Sequence, residues 1–135
     1  MILDTGPVVA AANEADPRSD DCQELLREAT APLVVPSLVI AEAAYLIARD
    51  LGAVAEARLL RSLAHPRFAV VSPDRVDLLR MAELVEQYAD LPLGATDAFV
   101  VALAERHGET EVATLDRRHF SVVRPRHVEA LTLLP

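Results

Sequence analysis

The chain has 135 residues, 52% of them apolar, which is enough for one domain spanning 1–135 with a packed core and too few for two. Its formal net charge of −8 argues against binding nucleic acid by bulk electrostatics, because phosphate contacts need cations on the protein. With one cysteine, Cys22, no signal-peptide pattern and no apolar run long enough to span a bilayer, the sequence predicts a soluble, cytoplasmic protein.

In chain order, Met1 to Leu3 reads as a short buried strand and Val8 to Asn13 as a short helix. Asp20 to Ala29 has Cys22, Leu25, Leu26 and Ala29 at helical spacing, with acids between them. Leu33 to Val35 is a second strand. A helix follows to Asp50, with Ser37 as its expected N-cap and Gly52 closing it. Ala53 to Ala64 is an amphipathic helix stopped by Pro66, and Phe68 to Val71 is a third strand. Pro73-Asp74 starts a helix to about residue 89, and another runs from Ala95 to His107 and ends at Gly108. Glu111 to Leu115 and Leu131 to Leu134 complete a set of five short strands. Strands alternating with helices predict an α/β sandwich around a mainly parallel sheet. Sites in such sheets form at the carboxyl ends of the strands.

Two predicted strands run into an acid there, Asp4 after Ile2-Leu3 and Asp116 after Thr114-Leu115. Two more acids interrupt apolar helices. Glu42 sits among Leu38, Val39, Tyr45 and Leu46, where a bare charge must find a partner, either a cation site or an ion pair such as Arg49. Asp97 precedes the apolar run Ala98 to Ala104, where it, or Thr96, also suits a helix cap. Singly each acid has an ordinary explanation: Asp4 as a cap, Asp116 as a turn residue paired to Arg. Together they can converge on one edge of the sheet, and four clustered carboxylates need protons or a cation. An all-oxygen donor set suits Mg²⁺ or Mn²⁺ rather than zinc, and the four histidines show no zinc spacing.

The stretch Asp4-Thr5-Gly6 matches an aspartic-protease loop, but that chemistry needs two such loops sharing a proton. Only one occurs, in a chain that reads as mostly helical. All thirteen basic residues are arginine, and Arg117, Arg118, Arg124 and Arg126 gather near the C-terminal end as a local basic strip with His119 and His127. Aromatic residues are too few for a base-stacking platform.

Four segments in this order, ILDTG, VPSLVIAEAAYLI, LPLGATDAFVVALAERHG and VATLDRRHFSVVRP, make the chain resemble PIN-domain ribonucleases, most closely the VapC-type toxins of bacterial toxin–antitoxin pairs. The resemblance covers nearly the whole chain. It implies a PIN-like three-layer α/β sandwich and a Mg²⁺- or Mn²⁺-dependent endoribonuclease that cleaves RNA, tRNA among its substrates, by metal-activated water. In that pattern Asp4 and Asp97 are the principal metal ligands, and Glu42 and Asp116 complete the pocket directly or through water. Thr5 supports the site, and Gly6 stands where many members have Ser or Asn. The arginine strip becomes a candidate track for the RNA backbone. The resemblance further implies a homodimer and a cognate antitoxin held in an apolar groove, for which the helices at 36–50 and 53–64 offer surface. The alternative is a PIN-like module that binds RNA or protein without catalysis.

Overall fold

A computed structural model describes residues 1–135 and contains a five-stranded sheet and seven helices. The strands are β1 (Ile2–Leu3), β2 (Leu33–Pro36), β3 (Phe68–Val71), β4 (Glu111–Ala113) and β5 (Thr132–Leu134). They lie in the order β3-β2-β1-β4-β5, all parallel. Ile2 pairs with both Val34 and Val112, which makes β1 the centre of the sheet. A parallel sheet covered by helices buries its strands on both faces, which is why the strands read as short apolar runs and not as alternating patterns.

The helices are α1 (Thr5–Ala12), α2 (Ser19–Glu28), α3 (Ser37–Leu51), α4 (Ala53–Leu63), α5 (Arg75–Gln87), α6 (Ala95–His107) and α7 (Arg117–Phe120). Helix α6 packs against β1 and β2, and every residue from Ala98 to Ala104 is buried. Its apolar surface on all sides suits a helix enclosed by the core. It ends at Gly108 in the left-handed region, φ 63°. Helix α5 starts on a capping box: the Asp74 carboxylate accepts from the Val76 and Asp77 backbone N–H groups, and Asp77 accepts from that of Asp74. Gly52 turns α3 into α4 at φ 82°, a conformation that disfavours side-chain-bearing residues.

Three of the boundaries that differ from the sequence expectation have a local physical reason. Helix α1 begins at Thr5, with only Asp4 between it and β1, and Pro7 falls in its first turn, where the missing N–H costs no intrahelical bond. Ser37 is the first helical residue of α3 rather than its cap; Pro36 holds that position, and no side chain caps the end. Strand β4 stops at Ala113, since Leu115 and Asp116 lead into α7, a single turn that apolar periodicity does not reveal.

Candidate active site

The carboxyl ends of β1 and β4 are tied together by the Asp4 backbone N–H, which donates to the Ala113 carbonyl at 2.9 Å. This bond places Asp4 beside the segment that carries Asp116. Asp4 occupies the N-cap position of α1, yet its side chain caps nothing. It points instead to Thr114, whose hydroxyl donates to Asp4 Oδ2 at 2.7 Å. The same hydroxyl accepts the Asp116 backbone N–H at 2.9 Å. Thr114 is fully buried and thus fixes one acid and the approach to another.

Asp4 is 5% exposed, and burial pushes its carboxyl up to about 6. The Thr114 hydroxyl and the Thr5 backbone N–H oppose that rise, and the charges of Asp97 and Glu42 add to it. Asp97 is raised as well, by burial against the opposing pull of His119. Neither Thr96 nor Asp97 is the cap of α6; Gly94 is, and Asp97 lies one turn into the helix. Its Oδ2 accepts from His119 Nδ1 at 3.0 Å.

Glu42 corrects the expectation of burial. It lies on an exposed stretch of α3 beside Tyr45, which is 65% exposed, so its apolar sequence neighbours do not enclose it. Nor does it pair with Arg49, which holds Asp50 instead. Glu42 accepts from the buried Thr5 hydroxyl at 2.9 Å and so leans over the start of α1. Asp116 is the N-cap of α7. Its Oδ1 accepts the His119 backbone N–H at 3.1 Å, and its Oδ2 lies 3.1 Å from His119 Nδ1, so its partner is this histidine and not an arginine.

All four acids line one open cleft of about 620 Å³ together with Thr5, Gly6, Leu46, Leu115, Arg117 and Arg118. A Cβ added at Gly6 would lie 3.1 Å from Leu115 Cβ, so a side chain at this position would crowd Leu115 in the cleft. The four carboxylates of the cleft are the kind of oxygen donor a hard cation takes, and no arginine pairs with Asp4, Glu42 or Asp97. The donor chemistry therefore fits Mg²⁺ or Mn²⁺. The side chains are held by Thr114, Thr5 and His119 rather than drawn to a common point, and no three stand close enough together to grip one ion as they lie.

The arginine strip divides. Arg117 and Arg118 line the acidic cleft, with Arg117 donating to the Pro135 carbonyl at 2.6 Å. Arg124 turns back onto the Ser121 carbonyl, and Arg126 pairs with Glu83 on α5. Neither lines the cleft. Sequence reasoning also missed Thr114 and placed His119 only among the basic residues. The readable signals were a hydroxyl two residues before Asp116 and a histidine three residues after it.

A second cleft, of about 270 Å³, is mostly apolar and lies between α1, α2 and α4, lined by Val8, Ala11, Leu26, Ala55, Leu59 and Leu63 among others. The expected surface of α4 contributes to it; that of α3 does not.

The family model described as PIN domain matches residues 1–124. Ribonuclease VapC26 of Mycobacterium tuberculosis is 35% identical over 135 residues, the whole of both chains. Among solved structures, Mycobacterium tuberculosis VapC20, described as a Sarcin-Ricin loop cleaving toxin, superposes with a TM-score of 0.82 at 16% identity, over 95% of this chain and 98% of that one. FitAcB from Neisseria gonorrhoeae superposes with a TM-score of 0.67 at 17% identity, over 99% and 96%. With a parallel sheet whose two central strands lead to acids in one cleft, and with a family model and a full-length relative that agree, the chain belongs to the PIN-domain family, among its VapC-type members.

Proposed function

We propose that the chain is an endoribonuclease dependent on Mg²⁺ or Mn²⁺ and the toxin of a toxin–antitoxin pair. The convergence of Asp4, Glu42, Asp97 and Asp116 from four separate elements into one cleft carries this reading, supported by the full-length likeness to a VapC ribonuclease. Asp4 and Asp97 would hold the ion, with Glu42 and Asp116 completing its surroundings directly or through water. When bound, the cation supplies Lewis acidity to a phosphoryl oxygen and to an attacking water. The protein's own groups do the rest. Thr114 and Thr5 orient Asp4 and Glu42, and burial keeps the Asp4 carboxylate poorly solvated, so that it gains most from a cation. Arg117 and Arg118 on the cleft wall suit the flanking phosphates of an RNA strand, a tRNA among the candidates.

The antitoxin belongs to the same reading. A partner segment with apolar side chains fits the cleft between α1, α2 and α4, and α1 links that cleft to Asp4 and Thr5. A homodimer is also part of the reading, and light scattering tests it.

Purified, antitoxin-free protein should cleave total cellular RNA with Mg²⁺ or Mn²⁺ and not with EDTA. Asp4→Ala and Asp97→Ala should each lower the rate by at least about a hundredfold, the scale of losing a group that stabilises the transition state. Cleavage that survives EDTA and both substitutions would refute the assignment. Failure of the protein to bind Mn²⁺ would favour a binding module without catalysis.

A further inference from the structure

His119 is the one side chain that bonds to the carboxylates of two of the cleft acids at once. Its Nδ1 lies 3.0 Å from Asp97 Oδ2 and 3.1 Å from Asp116 Oδ2. Ionised carboxylates only accept hydrogen bonds, so Nδ1 carries the hydrogen and shares it between them. The backbone N–H of the same residue donates to Asp116 Oδ1 at 3.1 Å, so both oxygens of Asp116 face His119. Asp97 belongs to α6, a core helix, whereas Asp116 opens the short α7 after the sheet. No hydrogen bond other than those through His119 joins the two acids. Their charges repel, and Asp116 raises the carboxyl of Asp97.

We propose that His119 is a positioning residue of the cation site, its Nδ1–H holding Asp97 and Asp116 in a fixed relation before the ion arrives. The proposal rests on the metal-dependent reading given above. Groups that orient ligands from outside the coordination sphere characteristically change metal affinity by about 10- to 100-fold. Without the shared hydrogen, Asp116 stays tied only to the residue-119 backbone N–H, and the ion itself must hold Asp97 beside this like charge.

The test is calorimetric titration of purified, antitoxin-free protein with Mn²⁺, for the wild type and for His119→Asn, His119→Gln and His119→Leu. Asn keeps a nitrogen donor on Cγ, where Nδ1 is attached, while Gln moves the donor one bond farther out and Leu removes it. His119→Leu and His119→Gln should weaken Mn²⁺ binding about tenfold or more, with His119→Asn close to wild type. Thermal melts identify any variant that fails to fold, and the Asn–Gln comparison stands if Leu does. Equal affinity in wild type and all variants, or tighter binding in Leu or Gln, would overturn the positioning role and leave the metal site standing. Equal weakening in all variants, Asn included, would overturn the Nδ1 donor as the cause. No Mn²⁺ binding by the wild type would remove the metal-dependent reading and the positioning role with it.

Discussion

Asp4 shows how a functional residue opposes the stability of its own fold. Its carboxylate is almost completely buried and sits near two other acids. It has the Thr114 hydroxyl for a partner but no cation. The unfolded chain ionises this group near 3.8, while the folded one holds it near 6. The neutral form is favoured by folding, so stability present at low pH is lost as pH rises through that interval. At pH 7.5 and without metal, Asp4→Asn should therefore melt higher than wild type, by up to about 3 kcal/mol in unfolding free energy. The same substitution should abolish metal-dependent cleavage. A lower melting temperature in EDTA would show that the carboxylate contributes more through Thr114 than its burial costs. The sequence places an acid at this position, but not which way its side chain turns. A cap and a site residue have the same neighbours in sequence and differ only in the contact with Thr114, 110 positions away.

At the level of elements, the strands and long helices were legible because apolar runs and Gly or Pro boundaries record them directly. Helix α6 spans Ala95–His107, as its apolar run and Gly108 suggest, although its cap is Gly94 and neither Thr96 nor Asp97. The single turn α7 was not legible, because four residues carry no periodicity and its cap, Asp116, also reads as an ordinary turn acid. Glu42 failed for another reason: apolar neighbours at helical spacing predict enclosure only if all of them are packed, and here Val39 is buried while Tyr45 and Glu42 itself stay exposed. Ion pairs between elements were likewise invisible. Glu105 on α6 takes two hydrogen bonds from Arg80 on α5, at 2.8 and 2.9 Å, and a third from the Arg126 backbone. Burial pushes its carboxyl up, but the Arg80 and Arg126 bonds outweigh this and hold it below its usual 4.5. For a depressed acid the stabilisation is present above the unfolded pKa and disappears as pH falls through the folded one. Glu105→Gln should cost about 1–3 kcal/mol in urea unfolding at pH 7, and the gap to wild type should narrow as pH drops below 4.5. A gap that stays constant down to pH 3 would assign the loss to packing instead of charge.

The whole molecule combines a net charge of −8 with a cleft whose polar lining is mainly acidic, so RNA cannot be drawn to it by the overall field. Attraction has to come from local cations, and their number is what the fold changes. The sequence groups four arginines into a strip; the structure leaves two of them, Arg117 and Arg118, on the cleft. Arg126 is neutralised by Glu83, and Arg124 serves a local turn. Each phosphate contact contributes about −0.7 to −0.9 to the slope of log affinity against log salt. Two contacts predict a slope near −1.5 and four predict one near −3. Asp97→Asn protein, expected to be inactive, can be titrated with a structured RNA in EDTA at several NaCl concentrations. A slope near −1.5 that falls by about half in Arg118→Gln and is unchanged in Arg126→Gln supports the divided strip. A slope near −3 that both substitutions reduce would mean that the Arg126–Glu83 pair opens and the full strip engages RNA. In that case α5, which carries Glu83, lies next to the bound strand, and the RNA footprint reaches beyond the acidic cleft.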